Sequence, residues 1–200
     1  MTEMNCPKCG AGLGPRLKAL KMVSCVHCGT TSFLQDDQFV LAGQAGVMHD
    51  TAQLIRLGQS VTIGGQTYFP RGQARFSYGR GEWDEFWAET QDGGVWISVD
   101  EGDVVIQRPL SATDAPKTAP AETLGAEVGA DGRWFSVTEV EEAECVALAG
   151  SFPEILRVGD RYRFVNCTGN DGSLLSGESG PDSWTWFLGT WVDPFEVTVA

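Results

Sequence analysis

The sequence predicts an all-β protein in which an N-terminal zinc ribbon precedes two tandem, small antiparallel repeats, each barrel-like or a bent sheet. Three observations carry this. Two Cys-x2-Cys pairs sit within the first 35 residues. A pattern of apolar and glycine positions recurs at an offset of 67 residues, from Leu57 to Leu124. Apolar runs are cut short throughout by Gly, Asp and Pro, as short strands between tight turns require.

The expected order is a ribbon over 1–35, a first β-repeat over 40–108, a linker over 109–120 and a second β-repeat over 121–200. Composition agrees with a folded globule: of 200 residues, 42% are hydrophobic and 20% charged, with 25 Gly, nine Pro and seven Trp. That mix suits turns and aromatic-rich strands better than long helices. Only Asp50–Leu57 is compatible with a turn or two of helix.

The net charge of −13 disfavours nucleic acid as partner of the whole chain, since a long basic footprint is missing. The charge is uneven. Lys8, Arg16, Lys18 and Lys21 against Glu3 leave the ribbon at +3, so the remainder carries −16. No apolar run approaches the length of a membrane span, and Met1–Cys6 lacks the apolar core of a signal peptide. The expected compartment is the cytosol, where paired cysteines bind metal rather than form disulfides.

In the ribbon, Cys6-x2-Cys9 is followed after fifteen residues by Cys25-x2-Cys28. Two residues between cysteines let both sulfurs of one turn point at one ion. Two such turns close a four-thiolate shell with no open position, so Cys6, Cys9, Cys25 and Cys28 read as ligands of a structural zinc. Iron in a rubredoxin-like site is the alternative. Gly10 and Gly29 follow the pairs and supply the positive φ that such knuckles need. His27 reads as a solvent-facing turn residue.

In the body, Leu57-Gly58, Val61, Gly65 and Tyr68 match Leu124-Gly125, Val128, Gly132 and Phe135 in one register. Each copy continues into a hairpin: Trp83–Thr90 through Asp92-Gly93-Gly94 to Val95–Val99, and Arg161–Cys167 through Asn170-Asp171-Gly172 to Leu174-Leu175. There the offset has grown to 79, which places about twelve extra residues around Ser151–Gly159. Between the copies, Pro109–Pro120 is too poor in large apolar groups to build a core.

Trp83 and Trp87 share a strand face with Glu85 and Glu89. The pattern leaves open whether the two tryptophans are exposed or core, whereas Trp96, Trp134 and Trp186 read as core. Glu139, Glu141, Glu142 and Glu144 read as a charged surface or edge strand. Cys145 and Cys167 read as buried free thiols. With His27 and His49 the only histidines, and no phosphate loop or dinucleotide fingerprint, the chain reads as non-enzymatic.

The Leu-Gly start, the Gly-x-x-Tyr strand, the run Trp83-Asp84-Glu85-Phe86-Trp87 and the hairpin ending in Trp96-Ile97 resemble a bacterial domain-of-unknown-function family, number 4178. The second copy, with Gly150-Ser151-Phe152-Pro153 and Gly189-Thr190-Trp191-Val192, is similar, and the resemblance covers roughly residues 54–193. Phe69-Pro70-Arg71 departs from a smooth apolar strand and calls for an edge position or a bulge. The resemblance implies a partner in a membrane-stress-associated complex and no catalytic residues. The expected function is a cytosolic adaptor that binds a protein partner through Trp83, Asp84, Glu85 and Trp87, with membrane association only through that partner. The alternatives are a nucleic-acid-binding ribbon protein and a metal-dependent enzyme using the acidic cluster of Asp84, Glu85 and Glu89.

Overall fold

The computed structural model describes residues 4–14, 20–35, 38–44, 46, 48, 53–90, 93–120, 122–179 and 183–199. Strands follow one another in chain order: β1 Met22–Ser24, β2 Thr30–Gln35, β3 Gln38–Gln44, β4 Val61–Ile63, β5 Gln66–Ser77, β6 Glu82–Thr90 and β7 Gly93–Asp100. They continue as β8 Asp103–Pro109, β9 Glu127–Ala130, β10 Arg133–Phe152, β11 Arg161–Gly169, β12 Leu174–Ser179, β13 Trp184–Val192 and β14 Val197–Val199. Among the described residues the one helical element is the 3₁₀ turn Pro194–Glu196. Of the helix expected at Asp50–Leu57, residues 50–52 lie outside the described residues and 53–57 are not helical.

The fold is all-β, and every strand pairing is antiparallel. Residues 61–109 and 127–192 each run through five strands in the same order. In both, the first two are joined by a two-residue turn with positive φ at both positions: Gly64-Gly65 and Asp131-Gly132. Such turns match the right-handed twist of the strands they join.

The two halves are sewn together along two seams. β8 pairs with β13 from Val104–Val192 to Pro109–Phe187, and β5 pairs with β10 from Phe76–Cys145 to Gly72–Gly150. The order β5-β6-β7-β8-β13-β12-β11-β10 therefore returns to β5 and closes a ring of eight strands. Each half alone would present two unpaired edges, and the seams satisfy both.

The β5–β10 seam depends on two facing glycines. A side chain at Gly72 would lie 2.5 Å from the Ser151 carbonyl oxygen, and one at Gly150 would overlap the Arg71 carbonyl. Gly150 also has φ +81°, a left-handed conformation that costs other residues roughly 1–2 kcal/mol. Next to this seam the β5–β6 register shifts between Pro70 and Gly72, the bulge that Phe69-Pro70-Arg71 calls for.

Alternation along the strands divides the apolar residues among three cores. Phe86, Ala88, Val95, Ile97 and Val104 face outward from the ring and are covered by Val61, Ile63 and Tyr68. Val165, Cys167, Leu175 and Trp186 do the same in the second half, under Val128, Ala130, Phe135 and Val137. The third core, with Phe76, Trp87, Trp96, Leu148, Phe152 and Phe187, draws on both halves. Each fully buried large side chain stabilises the fold by about 1.5–3 kcal/mol. The segment 110–120 crosses the surface of the second core, where Leu110 and Ala115 pack and the Leu110 N–H donates to the Trp186 carbonyl at 2.8 Å.

Trp134 is a correction to the expected core. It is 67% exposed on β10, because its neighbour Phe135 takes the inward position of the alternation. Glu139, Glu141, Glu142 and Glu144 lie where β10 pairs with β11, so that side of the strand is not an edge.

The ribbon is joined to the ring by backbone and side chain. β1 pairs with the end of β10, Met22 opposite Phe152, and the Met22 side chain is fully buried in the third core.

Candidate functional site

Two places gather chemistry-bearing residues. The first is the ribbon. Its knuckles fold as expected: the Gly10 N–H donates to the Cys6 carbonyl and the Gly29 N–H to the Cys25 carbonyl, both at 2.9 Å. Both glycines have positive φ, 76° and 65°. All four sulfurs lie within 4.8 Å of one another, with Cys6–Cys28 and Cys9–Cys25 each at 3.7 Å. A tetrahedral ion with bonds of about 2.3 Å separates its sulfurs by about 3.8 Å, so the donor set fits a single four-thiolate metal. The backbone N–H of Cys9 lowers the Cys6 thiol pKa against the opposing effect of burial. His27 is exposed, as are Lys8 and Lys21; Arg16, Lys18 and His49 lie outside the described residues.

The second place is the interior of the ring. An upper cavity of about 500 Å³ narrows to a lower chamber of about 30 Å³, and the two share Glu85, Gln107, Phe164 and Ser176. Every strand of the ring contributes to this lumen, each through alternate residues: on β7 Trp96, Ser98 and Asp100, on β12 Leu174, Ser176 and Glu178. The extra residues of the second half lie mostly in β10 itself, 20 residues against 12 in β5, and the rest lengthen the loop after it, which places Glu154 and Leu156 at the lower chamber.

The lumen is acidic. Glu85, Glu154 and Glu178 line the lower chamber; Asp100, Glu101, Asp103, Glu139 and Glu141 line the upper cavity, with Arg80 as its one basic residue among the described ones. Burial pushes the Glu85 carboxyl up to about 7, against the hydrogen bond from Trp83. Burial also raises Glu178 well above the ordinary carboxyl range, with Glu154 and Glu85 adding repulsion. Glu154 is raised by burial and drawn down by Lys21.

Several acceptors here have no donor. Glu85 Oε1 accepts from the Trp83 indole at 3.1 Å, but Glu85 Oε2, Gln107 Oε1 and Asp100 Oδ1 are unpartnered, and Gln107 is only 6% exposed. Beside them stands an aromatic cluster: Trp83 stacks on Phe76 at 5.2 Å and meets the edge of Phe164 at 5.2 Å.

The four residues expected to bind a partner are not presented together. Trp83 and Glu85 face the lumen, and Trp87 is 5% exposed in the central core, its ring lying over Gly94. Asp84 points from the other face of β6. There it accepts two hydrogen bonds from Arg75, at 3.0 and 2.9 Å, and that guanidinium is itself buried. Asp84 and Glu85 thus cannot act as one acidic cluster, because consecutive strand residues take opposite sides. The Asp100–Asp103 segment is a hairpin turn, with positive φ at Glu101 and Gly102. Cys145 and Cys167 are fully buried, and burial pushes their thiols up to about 12 and about 11, which keeps them protonated and inert.

The polar half of the lumen escaped the sequence analysis. The signal that could have found it is a polar residue at every second place on otherwise apolar strands, as in Trp96-x-Ser98-x-Asp100 and Leu174-x-Ser176-x-Glu178. Among the described residues no helix is long and apolar enough to cross a membrane.

No curated protein and no solved structure matches this chain. One family model does, that of a domain of unknown function, DUF4178, and it matches residues 56–194. The span takes in all ten strands from β4 to β13 and leaves the ribbon outside. The chain belongs to the DUF4178 family.

Proposed function

We propose that this protein is a non-enzymatic binding protein that holds a small molecule in the lumen of its barrel, with a structural zinc ion shaping the ribbon. One observation carries the reading. A cavity of about 500 Å³, in the range of small-molecule sites, is walled by aromatics and contains buried acceptors that nothing among the described residues satisfies. An unpaired buried acceptor costs roughly 1–3 kcal/mol, and a ligand that donates to it recovers that cost. A closed four-thiolate shell with no open position suits a structural zinc, with iron in the same shell as the competing reading. The adaptor role, with a partner in a membrane-stress-associated complex, would use other residues than Trp83, Asp84, Glu85 and Trp87; Trp134 and Phe195, 67% and 94% exposed, are available for it.

The test is a fragment screen by ligand-observed NMR on the full chain and on Ser176→Phe, which plugs the lumen where its two parts meet. The expected result is a set of mutually competing hits that Ser176→Phe abolishes while the fold, read by circular dichroism, is kept. Hits that ignore the plug, or no hits at all, would end the reading.

A further inference from the structure

We infer that the ligand of this lumen is an organic cation whose ammonium head enters the lower chamber and is held by Glu85 and Gln107. The inference rests on the small-molecule reading above and names the chemical class of that ligand.

The unsatisfied atoms that line the lumen are all of one kind. With their carboxyls ionised, Glu85 Oε2 and Asp100 Oδ1 accept hydrogen bonds, as Gln107 Oε1 does, so the missing partner is a donor, and a cation beside Glu85 favours that ionised form. An ammonium offers three donors and no acceptor, which is the complement of this set. The charge around the lumen points the same way. Arg80, the one basic residue lining it among the described residues, is 79% exposed at the side chain and already contacts Glu141 at 3.4 Å. An anionic ligand would enter a lining of eight carboxyl groups and one arginine.

The size of the cation also follows. The lower chamber, about 30 Å³, holds a group about as large as a water molecule, which an ammonium head matches. No ready-made carboxylate shell for a bare metal ion is present among the described residues of the lumen. Among the described residues the four ribbon cysteines are the one group of three or more ligand residues whose ligand atoms converge within 4.8 Å; the lumen carboxylates stand too far apart to form a shell. The walls take the organic part: Trp83, Phe76 and Phe164 border the chamber and the cavity above, and aromatic faces attract cations by up to about 2 kcal/mol when water is excluded.

The experiment titrates the full-length protein with three probes of similar shape: n-butylammonium, 1-butanol and butyrate. Calorimetry reads affinity, and quenching of tryptophan emission reads entry, since Trp83, Trp96 and Trp191 line the lumen. Butylammonium is expected to bind at least about tenfold more tightly than 1-butanol, the effect of one charge-assisted hydrogen bond, and butyrate not at all. Glu85→Gln should remove that preference, leaving butylammonium bound no more tightly than 1-butanol. Gln107→Leu, which leaves the charge in place, should weaken butylammonium in a second background.

If 1-butanol or butyrate binds as tightly as the cation, the charge assignment is overturned and the lumen remains a ligand site. If no probe binds, both readings fall. If N-acetyl-lysine methylamide binds where butylammonium does not, the ligand is a peptide side chain and the small-molecule assignment is wrong.

Discussion

Removing the Asp84 carboxylate should destabilise the protein far more than removing a surface charge. Arg75 and Asp84 are opposite residues of β5 and β6, their side chains are 7% and 16% exposed, and two hydrogen bonds of 3.0 and 2.9 Å join them. Breaking a buried pair from one side leaves a desolvated charge and typically costs 3–5 kcal/mol. Arg75 has one fallback, since Glu82 lies 4.0 Å away with its side chain 52% exposed, so the lower end, about 3 kcal/mol, is expected for Asp84→Ala. At roughly 2.1 cal/mol/K per residue, a chain of 200 residues would lose about 7 °C in Tm. The assay is urea unfolding followed by circular dichroism, with Asp84→Ala beside the double variant Arg75→Met, Asp84→Leu. The double variant should return to within about 1 kcal/mol of the parent, because an apolar pair carries no desolvation penalty. A single variant costing less than about 1 kcal/mol, or a double variant as unstable as the single, would refute the argument.

Stability should fall as pH rises from 5.5 to 8. Glu85 titrates near 7 in the fold against 4.5 for a free glutamate, so between those values the folded chain holds the extra proton and loses its advantage as the proton leaves. The gap corresponds to on the order of 3 kcal/mol, with Glu154 and Glu178 contributing in the same direction. Glu85→Gln should flatten the urea midpoint over this range, and a parent whose midpoint rises with pH would contradict the assignment. Elemental analysis should find one zinc per chain. A strong chelator should then unfold the ribbon and lower the barrel's Tm as well, since Met22 leaves the central core; a metal-free chain with unchanged melting would refute this.

The knuckles were legible in the sequence because their chemistry is local: two cysteines, a glycine and a fixed spacing decide the turn. The strands and their tight turns were legible for the same reason, through Gly64-Gly65, Asp131-Gly132 and the apolar alternation. The lumen was not. A strand's period of two tells which residues share a face, but not which face looks inward when both faces are partly apolar. On β6, Phe86 and Ala88 form one core while Trp83 and Trp87 face another, and only the seams decide that Glu85 points into a cavity. Those seams pair residues about seventy positions apart, Phe76 with Cys145 and Val104 with Val192 nearly ninety, beyond the reach of any local pattern.

The same seams impose an order on synthesis. When residues up to Pro109 have left the ribosome, β5 and β8 still lack their long-range neighbours, which lie in β10 and β13. A nascent chain must therefore wait with two sticky flanks until most of the polypeptide has been translated. Distant pairings of this kind fold slowly and attract misassembly in the interval. Pausing the ribosome late in the second half should raise aggregation, and chaperone dependence should track the time between the two halves.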